Sequence, residues 1–533
     1  MPVDDDLMRS PRNQLYQFAV SLHGTTSADN VNETVRSYLW IPEHCKRLRG
    51  LLIFAENVPE GLIAGDAAIR KVCADNDLGI YYSVMSFCRY ELNVKAKDTE
   101  EQTAMLLQAN LSKLADLSGY SEVATVPWLP IGESMSLLMV GALTNAKPER
   151  CMAAIYSNDV GWGKHPEVPV LAYQGTSSEW TQRSGHHYDW NDCDIKTWWK
   201  WNSNYKRVCG ERQKNPKRPL SMVQYPGGHF NCTAEIIRYY ALYIDAVAKA
   251  RLSDDGSPRL KPVDPDDGYL ARLPVYQEEG DLSIDSARGT KDISRPWFFS
   301  HTLAAEAQRI ARIDWNAQTQ VPMVEAGEHC LVHPWAHNDV TEVDVASDSE
   351  FSLKPVLLEK IPDGFLHAGE PLAKSVHQPT LRWLRGMVVP LGGNRFRIEL
   401  DRNYRNAEFN QPPILAASVE GDERVRYSIQ PIMIRLIENT HGTLQTIQFE
   451  KIADVPAGTP SVPLRATASS GLPVRFYVDA GPAIVEDNRL KFTRLPPKTK
   501  FPAEVTVVAW QWGTGSPPLF SRAITWQTFR ILK

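Results

Sequence analysis

The sequence has no run of about 18 uninterrupted apolar residues, the minimum for a membrane-spanning helix. Its opening, Met1-Pro2-Val3-Asp4-Asp5-Asp6, has neither the basic nor the apolar region of a secretory leader. Long blocks of like charge are missing too, because 58 Lys and Arg against 63 Asp and Glu leave a net charge of −5 spread along the chain. Without a basic patch, neither nucleic acid nor an anionic membrane is an expected partner. The eight cysteines, scattered from Cys45 to Cys330, form no C-x-x-C pair and no zinc-ligand spacing, which excludes a zinc knuckle and a thioredoxin-like redox motif. Cys193 and Cys209 flank a polar, aromatic stretch and could clip it in an oxidising compartment; buried free thiols are the favoured reading. A chain that opens this way is either cytoplasmic or exported with its leader already removed.

What is present is ample core material: 533 residues, 43% hydrophobic and 9% aromatic. At about 100–250 residues per domain, several units are expected. Residues 1–252 alternate apolar runs with helical stretches such as 98–119, the rhythm of a parallel sheet flanked by helices. A loop-rich connector follows over 253–345, with one helix expected over 297–315. From 346 to 458 short strands broken by Gly, Pro and Asn predict a β-rich unit. Residues 459–533 alternate cleanly, as half-buried strands do.

The pentapeptide Gly132-Glu133-Ser134-Met135-Ser136 is the most informative feature. An extended run, Val126 to Ile131, precedes it, and a helix rich in Leu, Met and Ala is expected from 136 to 146. Ser134 would therefore stand on a sharp strand-to-helix turn, with its hydroxyl raised above the sheet edge and the first helical N–H groups nearby. The usual G-x-S-x-G pattern has Gly where this chain has Ser136. Downstream, Val168 to Gly175 reads as a buried parallel strand, and Glu179 follows four residues later. Tyr225-Pro226-Gly227-Gly228-His229-Phe230 brackets a histidine with glycines just before a helix expected over 233–250. A serine needs an imidazole to take its proton and a carboxylate to hold that imidazole's tautomer. Ser134, Glu179 and His229 supply all three; Asp159, after the strand-like 152–156, is the rival acid, and Glu179 is preferred.

On these residues and on the strand Gly50-Leu51-Leu52-Ile53-Phe54-Ala55, the stretch 37–252 resembles an α/β-hydrolase of the serine esterase type. The resemblance implies a doubly wound, mostly parallel sheet with an inserted cap. It places the nucleophile on Ser134, the base on His229 and the acid on Glu179. Its oxyanion hole would use the backbone N–H of Met135 and one from Glu56 or Asn57, although the His-Gly pair of many esterases is replaced here by Ala55-Glu56-Asn57-Val58. Glu133 is expected to shape the elbow or to meet the substrate. No metal or organic cofactor is implied.

The segment 180–219 between acid and base would form the cap. Its mixture of Trp180, His186, Trp199 and Trp201 with Asp and Arg suits a carbohydrate ring, whose apolar faces stack on indoles. Trp198, Trp199 and Trp201 cannot share one helix face, because neighbours diverge by about 100°. His186 and His187 are adjacent and converge poorly on one ion, so a metal site is not favoured. Near the end, Ala468-Ser469-Ser470-Gly471-Leu472-Pro473-Val474 and Gly481-Pro482-Ala483 resemble bacterial immunoglobulin-like β-sandwich modules, which act as spacers on exported enzymes. The combined expectation is a secreted or periplasmic carbohydrate esterase acting on a plant or algal polysaccharide or a small ester, with the terminal module separate and supplying no catalytic side chain. A serine peptidase, or a non-catalytic carbohydrate-binding protein on a degenerate hydrolase fold, are the alternatives. Oligomeric state is left open.

Overall fold

The structure is a computed structural model, and it describes residues 15–23, 34–57, 59–84, 96–158, 161–175, 188–189, 197–225, 233–274, 282–311, 317–318, 320–326, 329–330, 341–343, 350–360, 365–366, 369–403, 413–436 and 441–533. Eight strands form its central sheet: β1 Phe18–His23, β2 Thr34–Trp40, β3 Gly50–Ala55, β4 Leu78–Ser83, β5 Trp128–Glu133, β6 Ala154–Ser157, β7 Val170–Gly175 and β8 Leu220–Tyr225. Their spatial order is 1-2-4-3-5-6-7-8. Only β2 runs against its neighbours; every other pairing from β4 to β8 is parallel. Strands β3 to β8 are buried along their whole length, as strands covered by helices on both faces must be. This is the α/β-hydrolase fold, as the sequence led us to expect.

The helices that cover the sheet are α1 Glu60–Gly65, α2 Ala67–Asp75, α3 Ala96–Ser118, α4 Leu137–Ala146, α5 Thr197–Lys214, α6 Ala234–Arg251 and α7 His301–Ala311. Helix α6 shows how sequence pattern becomes packing: Ile236, Ile237, Tyr240, Tyr243, Ile244 and Val247 recur at helical spacing and all are buried. Helix α7 is shorter than expected. Trp297–Phe298, expected as its first turn, pairs instead as a strand with Tyr269–Leu270. The Trp297 indole is fixed there by donating to Pro265 O at 2.8 Å, a tertiary bond that no helical periodicity foretells.

The region after the connector is all strands. A four-stranded sheet joins Thr341–Val343, Ser428–Leu436, Ile414–Val419 and Thr380–Arg385, and a three-stranded one joins Glu350–Ser352, Arg395–Ile398 and Val388–Gly392. Many of its buried residues, among them Trp383, Phe396, Leu415 and Ile432, belong to the same hydrophobic core as the central sheet, while Leu384, Ile414, Ala416 and Ile429 form a small cluster of their own. The last unit has a core of its own, shared between a sheet containing Arg475–Ala480, Ala503–Gln511 and Ala523–Leu532 and another containing Ser461–Pro463, Ala483–Glu486 and Arg489–Phe492. Two sheets on one core make a β-sandwich. It also recruits Ile447–Phe449 and Val455–Pro456, N-terminal to the boundary expected at 459.

The sandwich is fastened to the edge of the central sheet. Asp479, whose side chain is 0% exposed, pairs with Arg36 on β2 and accepts from the Tyr38 hydroxyl at 2.8 Å. Gly481 N–H donates to Tyr16 O at 2.9 Å, and Lys498 reaches Glu122 at 2.8 Å. Trp510 and Trp512 belong to the main core, which also contains Tyr16 and Tyr38. A spacer would need none of these buried contacts.

Candidate active site

Ser134 sits where the sequence put it, immediately after β5 and before α4, on a short 3₁₀ turn Ser134–Ser136. Its φ is +55°, a conformation that costs a non-glycine residue about a kilocalorie per mole or more and is retained where the surroundings enforce it. Gly132 explains part of that enforcement. A Cβ there would stand 2.7 Å from Ser136 Oγ and 2.8 Å from Ser136 O, so only glycine lets the strand pass so close to the turn. Ser134 is half-buried, whereas Met135 and Leu138 are exposed beside it.

Beneath the turn lies a buried carboxylate that the sequence did not single out. Glu60, 0% exposed, accepts the N–H of Asn57 on one oxygen (2.9 Å) and the N–H of Glu133 on the other (2.8 Å). That second oxygen also takes the hydroxyl of Ser136. Ser136 Oγ in turn accepts from Glu133 N–H at 2.7 Å, and the Asn57 amide donates to Glu133 O at 2.9 Å. On the page Glu60 is an ordinary first-turn helical glutamate. The signal that could have led to it is Ser136, since a hydroxyl placed where close packing is needed must find a partner.

These bonds revise two expectations. The Glu56 N–H donates to Ser83 O at 2.8 Å and the Asn57 N–H to Glu60, so both backbone donors proposed for the oxyanion hole are engaged within the protein. Glu56 also faces inward, its carboxylate accepting from Gly61 N–H (2.8 Å) and from the Tyr82 hydroxyl (2.7 Å). Glu133 is not placed to meet a substrate. It is 1% exposed, and its carboxylate accepts from the Ser157 hydroxyl at 2.8 Å. It shapes the elbow, which was the other half of that expectation.

Burial, with the neighbouring Glu60 charge added, pushes the Glu133 carboxyl well above the ordinary carboxylate range. The folded state therefore holds this proton more tightly than the unfolded chain does. Its contribution to stability is complete below the unfolded pKa of about 4.3 and is lost as pH rises towards the folded value, at up to about 1.4 kcal/mol per pH unit. Glu133→Gln, neutral at every pH, should match the wild type near pH 4 and exceed it by at least about 1 kcal/mol near pH 8. Urea unfolding at the two pH values measures this; a gap that does not widen with pH would refute the assignment.

The strands that precede the proposed partner residues end along one edge of the sheet. The parallel register aligns Glu133 with Ser157, Ser157 with Tyr173, and Gly175 with Tyr225. Chain segments leaving β7 at Gly175 and β8 at Tyr225 thus depart from the edge that carries Ser134. Asn158, at φ +56°, ties two of these ends together by accepting Gly175 N–H at 2.9 Å. His229, Glu179, Asp159, Trp180 and His186 lie outside the described residues. Trp199 and Trp201 fall in the first turns of α5, but their side chains lie outside them too. Among the described residues no group of three or more His, Cys, Asp or Glu could hold a metal ion, and no helix is long and apolar enough to cross a membrane. Cys45, Cys73 and Cys151 are buried free thiols. Cys209 is also a free thiol, hydrogen-bonded with Tyr205; Cys193, its proposed partner, lies outside the described residues.

No family model and no curated protein matches this chain. Among solved structures it is similar to a thermostable esterase (11% identity, TM-score 0.21, covering 29% of this chain and 45% of that one). It is similar also to a poly(3-hydroxybutyrate) depolymerase from Bordetella parapertussis (13%, 0.28, 46% and 97%). A siderophore hydrolase from Aspergillus nidulans gives 13%, 0.31, 43% and 94%. At these scores the likenesses carry nothing about activity, and the α/β-hydrolase fold of this chain stands on its own strand order, its single reversed strand and its elbow.

Proposed function

We propose that this chain is a serine carboxylic ester hydrolase, and more narrowly one that deacylates carbohydrates. The observation that supports it most is Ser134 at φ +55°, half-buried at the carboxyl end of a central parallel strand. Strain of this kind at the tip of a strand-to-helix turn raises a hydroxyl for attack. In the reaction, Ser134 Oγ adds to the ester carbonyl while its proton passes to His229, and Glu179 holds the imidazole. The N–H of Met135 would face the oxyanion. Collapse of the tetrahedral species breaks the C–O bond, and the alcohol leaves with the proton from His229. Water, deprotonated by the same imidazole, then releases the acid and restores the serine.

The carbohydrate half of the reading rests on the 180–219 segment, where tryptophans alternate with Asp, Asn and Arg. The non-catalytic alternative drew its motive from Ser136, yet Ser136 is fully buried and integrated into the turn. Acetylated, feruloylated and methyl-esterified polysaccharides offered beside p-nitrophenyl acetate test the narrower claim. Trp199→Ala and Trp201→Ala should impair release of acyl groups from the preferred polysaccharide at least about tenfold more than hydrolysis of the aryl ester, because only the polymer uses a sugar platform. Equal losses in a folded variant would leave the ester hydrolase reading and remove the carbohydrate one.

A further inference from the structure

The residue by which this elbow departs from the superfamily pattern, Ser136, is also the one bonded to the buried Glu60. We propose that Glu60 is a positioning residue that locks the loop after β3 to the nucleophile turn, and that Ser136 is its matched partner, so that the missing glycine is a working part of this site. The inference rests on Ser134 being the nucleophile.

Two pieces of chain 73 residues apart meet at one carboxylate. From the loop after β3 comes Asn57, whose N–H reaches one oxygen. From the end of β5 comes the N–H of Glu133, and from the turn itself the hydroxyl of Ser136, both on the other oxygen. The Asn57 side chain closes the ring by donating to Glu133 O at 2.9 Å. Each bond lies fully buried, where hydrogen bonds are strong and hard to replace. Residue 136 needs no glycine for its backbone, since its φ of −69° and ψ of −10° are helical. What it needs is room, and Gly132 supplies it by leaving open the space its own Cβ would take from Ser136 Oγ. Gly132 keeps the pattern's first glycine, and the space it leaves open is what admits the Ser136 hydroxyl in place of the second.

The consequence for chemistry is distance. The loop that begins at Glu56 is held to the turn that carries Ser134 through Glu60 and the Asn57 amide, and an error of about 1 Å in such an arrangement costs on the order of a hundredfold in rate. A group that acts this way alters kcat and leaves ground-state binding of a small ester nearly unchanged.

The test begins with a fluorophosphonate probe and the wild-type enzyme. Modification at Ser134, located by mass spectrometry, secures the nucleophile; no modification would remove that reading and the present proposal with it. With the wild type labelled, Ser136→Gly, which restores the superfamily residue, should slow labelling and lower kcat for p-nitrophenyl acetate by about 10- to 100-fold, with KM within about threefold. Glu60→Gln should do the same, because one of its two faces becomes a donor opposed to a backbone N–H. The double variant should be little worse than the poorer single one, since both open the same latch. Should Ser136→Gly fail to fold by circular dichroism, Ser136→Ala removes the hydroxyl alone and gives the same comparison. Wild-type labelling rates and kcat in the folded Ser136 and Glu60 variants, or a loss confined to KM, would overturn the latch while leaving Ser134 as the nucleophile.

Discussion

Ser134→Ala is expected to lower the turnover of p-nitrophenyl acetate by roughly 10³- to 10⁶-fold, the range seen when the nucleophile of an acyl-transfer site is removed. Alanine keeps the Cβ and removes only the oxygen, so the turn itself should persist and the variant should fold. KM for the aryl ester is then meaningful only through residual turnover, and a direct comparison of burst amplitudes is cleaner. The wild type should release p-nitrophenol in a burst equal to the enzyme concentration if deacylation is slow, and the variant should show none. Full activity in Ser134→Ala would end the proposed mechanism, whatever the fold.

The second large effect concerns stability. Asp479→Ala should cost about 3–5 kcal/mol, because it removes one member of a buried ion pair and leaves the other desolvated. Arg36 would lose its carboxylate and Tyr38 the acceptor of its hydroxyl bond. The Tyr38 hydroxyl is held protonated by burial and by the Asp479 charge, and it accepts from Arg36 Nε at 3.1 Å while donating to Asp479, so the three groups form one network. Asp479→Asn, similar in shape but uncharged, should lose less. Urea unfolding of the two variants against the wild type measures this. Midpoints that coincide would mean the sandwich is held by its apolar contacts alone. The same contacts bear on the expectation of a separate terminal module: Trp510, Trp512 and Tyr477 belong to the core that contains Tyr16 and Tyr38, and truncation would take them out of it.

The sheet and its elbow were legible because they are written in local pattern. The all-apolar run Gly50–Ala55, the Gly132-to-Ser136 pentapeptide and the periodic helix Ala234–Arg251 each state their element within a few residues. Glu60 was not legible, because its role exists only through partners 73 and 76 positions away. Nothing local separates a buried first-turn glutamate from a solvated one. The oxyanion loop was misread for a related reason: resemblance supplies a position, Glu56 or Asn57, but where each N–H points depends on Ser83 and Glu60. Trp297 shows the same limit, with helical propensity overruled by a strand partner.

The pairing of Arg36 with Asp479 also sets an order of events during synthesis. The two residues are 443 positions apart. At about 5–20 residues per second, Asp479 follows Arg36 from the ribosome by roughly 20–90 s. Over that interval the first strands of the hydrolase sheet have no Asp479 to neutralise Arg36 and no Gly481 N–H to bond Tyr16 O. That edge of the sheet is thus made well before it is completed. A nascent chain in that state carries an unsatisfied, aromatic strand edge, which is a natural place for a chaperone to hold it until the final sandwich arrives.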